Sequence, residues 1–107
     1  MKNPIAQMLQ QAQQLQENMK KAQEELAAME ISGESGGGLV KIVMNGKREA
    51  LRVTIDDSLL KEDRDMLEDL IAAAINDTVH KVGKIKQEKM SALTGGLPLP
   101  GGFQMPF

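Results

Sequence analysis

Four groups of residues in this chain have the types and spacing to do chemistry. His80, the single histidine, stands one helical turn after Asp77 and next to Lys81. Four glycines crowd the ten residues ISGESGGGLV, from Ile31 to Val40. Glu62, Asp63, Asp65, Glu68 and Asp69 form an acidic run. Cations gather in two clusters, Lys41, Lys47, Arg48 and Arg52 with Glu49 among them, and Lys81, Lys84, Lys86 and Lys89 with Glu88.

Three of these groups lack what their chemistry requires. A lone histidine needs a serine or cysteine nucleophile placed by a defined turn, and none is present beside His80, which reads as a surface residue. A phosphate-cradling glycine loop follows a strand, closes on Gly-Lys-Ser/Thr and opens a helix whose N-terminus faces the phosphate. Here no lysine closes the loop and a strand pattern follows it, so the glycines read as a corner between strands. The acidic run has neither the glycine nor the spacing of a calcium loop and suits the solvated start of a helix. The expectation is therefore no catalytic constellation, no metal and no cofactor. The cations suit contacts to phosphate backbones, and without aromatic residues beside them stacking on single-stranded bases is not expected.

Composition narrows the setting. At 107 residues the chain is one domain's worth. A formal net charge of -2 argues against a uniformly basic nucleic-acid binder, so the distribution of charge matters more than its sum. The absence of cysteine excludes a disulfide framework and zinc-thiolate sites and fits a reducing cytoplasm. No secretory signal or membrane-spanning run is legible, so the reading is a soluble, cytoplasmic protein with no membrane partner and no small-molecule substrate. The only two aromatic residues, Phe103 and Phe107, stand near the C-terminus, leaving the core to Leu, Ile, Val, Ala and Met.

The elements that would position the cations follow from periodicity. Ile5, Met8, Ala12, Leu15, Met19, Ala22, Leu26 and Met29 recur at alternating spacings of three and four, an a/d heptad stripe flanked mostly by polar residues. This predicts a long helix beginning near Pro4. Its narrow seam, carried by Ile5, Met8, Leu15, Met19 and Leu26, calls for a long helical partner, either within this chain or in a second copy. A short first strand is expected at about 30–35. Val40, Ile42 and Met44 alternate, as do Leu51, Val53 and Ile55, and Asn45-Gly46 between them predicts a hairpin whose turn residues take positive φ. Asp56, Asp57 and Ser58 offer caps for a short turn, and Asp63 offers one for a second long helix running to about Leu93. Leu67, Leu70, Ile71, Ala74, Ile75, Val79, Val82, Ile85 and Met90 would form that helix's apolar face. Residues 94–107, TGGLPLPGGFQMPF, are too rich in Gly and Pro for regular structure and read as a tail, with Leu97, Leu99 and Phe103 touching the body. The division is thus one α+β domain, 1–93, and a tail, 94–107.

In this order the heptad helix, GESGGGLVKIVMNG (33–46), SLLKEDRDMLEDLIAAAINDT (58–78) and the closing LPLPGGFQMPF resemble the YbaB/EbfC family of small bacterial nucleoid-associated proteins. The resemblance covers essentially the whole chain. It implies an α+β protomer in which two long helices flank a three-stranded antiparallel sheet, and an elongated homodimer with helices projecting like tweezer arms. It further implies binding of double-stranded DNA with little sequence preference, a change in DNA conformation, a place in the nucleoid, a role in gene regulation and no enzymatic activity. It supplies no contact signature for numbered positions. The DNA-binding candidates therefore come from charge alone: Lys81, Lys84, Lys86 and Lys89, then Lys47 and Arg48, with Lys20 and Lys21 on the first helix. The acidic stretch 56–69 must then face away from DNA. The competing reading is a protein-interaction module that docks through the heptad helix and the apolar tail.

Overall fold

The computed structural model describes residues 4–93. Its elements run α1 (Pro4–Ala28), β1 (Ile31–Ser35), β2 (Val40–Met44), β3 (Ala50–Ile55), a 3₁₀ turn (Asp57–Lys61) and α2 (Arg64–Leu93). The expected tail, 94–107, lies outside the described residues.

The sheet is antiparallel in the order β1-β2-β3. Val40, Ile42 and Met44 of β2 are buried on one face together with Ile31 and Gly33 of β1, and α2 lies across them with Ala74, Thr78 and Val82 buried. Alternation accounts for this, because side chains two apart on a strand share a face. The opposite face carries Ser32, Glu34, Lys41, Arg52 and Thr54, all exposed. Fully buried side chains such as Leu26, Ile42, Leu59 and Val82 each contribute about 1.5–3 kcal/mol by leaving water.

One contact sets the distance between helix and sheet. A Cβ on Gly33 would sit 2.1 Å from Thr78 Oγ1 and 2.6 Å from the Thr78 backbone, so only glycine lets α2 come down on β1 at this point. The buried Thr78 hydroxyl donates to the Ala74 carbonyl at 2.7 Å and lies 3.5 Å from the Ile42 carbonyl. Two further bonds pin the strand to the helix: Ser35 Oγ donates to the Leu70 carbonyl, and the Glu34 amide donates to Asp77 Oδ2 at 2.9 Å. That amide bond, reinforced by Lys81, holds the Asp77 carboxyl below its ordinary range.

The glycine-rich corner joins β1 to β2, with Gly36, Gly37 and Gly38 all at positive φ (62°, 68° and 96°). Asp56 caps the 3₁₀ turn by accepting from the Ser58 amide at 2.9 Å, which lowers its pKa. Asp63 precedes α2, its Oδ1 3.4 Å from the Asp65 amide.

Three expectations require correction. The Asn45-Gly46 turn does not place its own residues at positive φ; Arg48 takes that conformation, at 64°. The loop from Asn45 to Glu49 is a type I turn followed by a left-handed residue, closed by Arg48 N–H to the Asn45 carbonyl (3.1 Å) and Asn45 N–H to the Glu49 carbonyl (3.0 Å). The buried Asn45 side chain holds the loop by accepting from the Lys47 and Glu49 amides and donating to Glu49 Oε1. Gly46 serves close approach instead: its amide donates to the Leu26 carbonyl at 2.7 Å, and a Cβ there would stand 2.6 Å from Leu26 Cβ. Second, β3 does not bury its apolar face. Val53 pairs with Ile42 and so shares its side of the sheet, yet α2 covers only β1 and β2, leaving Val53 and Leu51 exposed. Third, Ile75 on α2 is 40% exposed and stands outside the core.

The seam of α1 divides sharply. Ala22 and Leu26 are buried and Met19 is half-buried, whereas Ile5, Met8 and Leu15 are exposed. Helix α1 meets only the C-terminal end of α2 and the hairpin tip, then projects away, giving extents of 75 × 25 × 17 Å.

Candidate nucleic-acid interface

The eight cations expected to contact DNA differ in what already holds them. Lys89 binds Glu25 across the α1–α2 contact, and this pairing keeps the Glu25 carboxyl below its ordinary range. Lys81 pairs with Asp77 one turn earlier at 3.0 Å. Arg52 of the hairpin, outside those eight, pairs with Glu30 at 2.8 Å. Lys21 lies close enough to Glu25 to help lower its pKa, and both line a shallow groove between the helices, while Lys20 is exposed on α1. Among the described residues, Lys47, Arg48, Lys84 and Lys86 make no ion pair with an acid.

Three of these four converge. Helix α2 and the hairpin tip enclose a cleft of about 490 Å³ lined by Arg48, Val79, His80, Gly83, Lys84 and Gln87. His80, Lys84 and Gln87 share a face of α2 by their spacing of four and three. Gly83 lies between them, and Arg48 Nη2 reaches to 3.8 Å from the position of a Gly83 Cβ. A longer side chain at 83 would displace the guanidinium. Lys86, half-buried on the adjoining side, has its pKa lowered first by burial and then by the charge of Arg48. Like charges have thus been brought together with no acid between them, an arrangement that an incoming anion stabilises.

Arg48 carries an additional cost. A non-glycine residue in the left-handed region is disfavoured by roughly 1–2 kcal/mol, and such outliers cluster at functional sites. Nothing in the residue types of Asn45 to Glu49 announces this conformation. Gly83 was the available signal, because glycine inside a helix costs about 1 kcal/mol relative to alanine and implies that something approaches closely.

The other flank of α2 is electrically mixed, with Lys81 and Lys84 over a groove that also contains Glu30 and Glu88. The acidic residues at the start of α2 are well separated from the cleft. Nineteen helical steps, about 28 Å, separate Asp65 from Lys84. Among the described residues, no group of three His, Asp or Glu side chains is placed to hold a metal ion, and no helix is long and apolar enough to cross a membrane.

Comparison with known proteins bears on the family and the fold. The model of the YbaB/EbfC DNA-binding family matches residues 1–97. A nucleoid-associated protein of Methylococcus capsulatus is 64% identical over 107 residues, which is the full length of both chains. The crystal structure of an uncharacterized protein from Helicobacter pylori has the same fold, with a TM-score of 0.75 at 24% identity, covering 84% of this chain and 96% of that one.

Proposed function

This chain belongs to the YbaB/EbfC DNA-binding family, and on that footing we propose that it acts in the nucleoid as a homodimer gripping duplex DNA through phosphate contacts. The observation that carries this reading is the cleft in which Arg48 and Lys84 flank Gly83 with no acid in its lining, and with Lys86 beside it close enough to feel the charge of Arg48. Phosphate oxygens fit such a cluster, and contacts of this kind position a protein on DNA without reading its sequence. Lys47, exposed at the hairpin tip, extends the cluster, with Lys20 and Lys21 on α1 as outlying contacts. Lys81 and Lys89 already hold Asp77 and Glu25, so their part is weaker.

Dimerisation is supported by the bare inner face of β3. Val53 and Leu51 stand exposed on the side of the sheet that carries the core, at an open edge strand, and exposed apolar edges are normally covered by another chain or element. A dimer closed there presents two clefts and two projecting α1 arms. Binding a duplex at both clefts would alter its path, and this is how the protein contributes to nucleoid organisation and gene regulation.

Fluorescence anisotropy with two unrelated duplexes of equal length, titrated at several salt concentrations, tests the reading. With about six phosphate contacts per dimer, affinity for both duplexes falls roughly a thousandfold between about 50 and 200 mM salt. A strong preference for one duplex, or a salt slope near zero, refutes phosphate-dominated binding.

A further inference from the structure

Of the side-chain types lining the cleft between α2 and the hairpin tip, only imidazole changes its charge between about pH 5 and 8. Arg48 and Lys84 bring cations, Val79 and Gly83 bring no polar side chain, and Gln87 is neutral. His80 is exposed on α2 one turn before Lys84, about 6 Å back along the helix axis. A phosphate that meets Lys84 in this cleft is therefore within reach of the imidazole.

The charges around His80 leave the ring open to such a ligand. On α2, Asp77 stands one turn earlier and feels the histidine, but its Oδ2 already accepts from the Glu34 amide at 2.9 Å and from Lys81 Nζ at 3.0 Å. Lys81, next in the chain, lines the opposite groove. From the hairpin, Arg48 faces the cleft and Lys47 is exposed at the tip, while Glu49 accepts from Asn45 Nδ2 and takes no part in the lining. Among the described residues, no ion pair with an acid holds the imidazole.

We propose that His80 is a proton-dependent contact for a DNA phosphate in this cleft, so that the grip on duplex DNA tightens as pH falls. The inference rests on the phosphate binding proposed above and adds to it one contact residue and its regulation. Neutral imidazole donates through one ring nitrogen, whereas imidazolium donates through both and carries a charge. An adjacent phosphate favours the charged form, so binding takes up a proton. Affinity is then highest below the ordinary histidine range, around pH 6.5, and falls as pH rises through it. One charged contact is worth about 8-fold in affinity near 0.1 M salt, and two copies per dimer give about 60-fold and a salt slope steeper by about 1.8 at low pH.

Anisotropy titrations with one duplex at constant salt, from about pH 5.5 to 8.5, compare the native chain with His80→Gln and His80→Lys. The native protein is expected to lose about 60-fold in affinity across this range, His80→Gln to bind weakly throughout, and His80→Lys to bind tightly throughout because lysine keeps its charge. The N-terminal amine titrates near pH 8 in all three proteins, so the difference between the profiles belongs to His80. The chain has a single histidine, and its imidazole resonance reads protonation directly: the midpoint should rise by about 0.9 pH units when DNA is added, the counterpart of the 8-fold gain. Parallel profiles for the native chain and His80→Gln, with an imidazole midpoint that DNA does not move, overturn this inference while leaving phosphate binding intact. No binding by the native chain at any pH overturns both.

Discussion

Replacing Arg48 with glycine is expected to stabilise the fold while weakening its grip on DNA. At φ 64° the arginine backbone is held where an L-residue is disfavoured by roughly 1–2 kcal/mol. Glycine removes that strain but gains freedom in the unfolded chain, which returns about 0.5–1 kcal/mol. The net gain is about 0.5–1 kcal/mol, or a rise in melting temperature of about 2–8 °C for a domain of this size. Loss of the guanidinium also removes the charge that, after burial, lowers the Lys86 pKa, so that pKa moves back toward its ordinary value. Each phosphate contact contributes about 0.9 to the logarithmic salt slope, worth about 8-fold in affinity near 0.1 M salt; two copies per dimer give about 60-fold and a slope shallower by about 1.8. Thermal melting followed by circular dichroism, and anisotropy across a salt series, measure the two effects on the same preparation. Arg48→Asn is the control, since asparagine tolerates the left-handed region without the charge and should lose DNA affinity equally. A melting temperature that falls by several degrees would mean that the seat of Arg48 over Gly83 outweighs the strain. An unchanged salt slope would remove Arg48 from the interface.

Lys84→Glu should weaken binding to every duplex alike and more than Lys89→Glu does, because Lys89 already holds Glu25; equal losses in anisotropy titrations would contradict the assignment of the cleft. Gly33→Ala should cost about 1–3 kcal/mol or more in urea unfolding, because the added methyl meets the Thr78 backbone and no rotamer change can relieve it. Leu26→Ala should cost about 2–5 kcal/mol and loosen α1 from the hairpin tip, seen as faster amide exchange at Gly46. Asp77 and Glu25 have folded pKa values below their unfolded ones, so the stability they contribute is present above about pH 4 and is lost as pH falls through the folded values. Asp77→Asn should flatten that acid limb in melts between about pH 2 and 5.

Much of the architecture was legible because it is periodic. The three-four spacing from Ile5 to Met29, the alternation of Val40, Ile42 and Met44, and the carboxylates before the second helix each express a local geometry that holds wherever the segment sits. The same locality explains the failures. Alternation marks Leu51, Val53 and Ile55 as one face, but whether that face is covered depends on how far α2 extends over the sheet. Asn45-Gly46 is a strong hairpin signal, yet Gly46 serves close approach to Leu26 and the positive φ falls at Arg48.

The cations show the same division. Their clustering in sequence was visible, but sequence neighbours on a helix point in different directions, and acids distant along the chain decide which of them are already held. Glu25 meets Lys89 from sixty-four residues away, and Glu30 meets Arg52 across the sheet. The amino-acid sequence by itself determined the elements, their order, the apolar stripes and the family, since each rests on residue types at short, fixed spacing. Only the tertiary structure decided that Arg48 reaches over Gly83 to join Lys84 and Lys86, that Lys89 holds the two helices together, and that half of α1 extends past its cover. These are consequences of packing distance, set where Gly33 meets Thr78 and Gly46 meets Leu26, and no local pattern carries that distance.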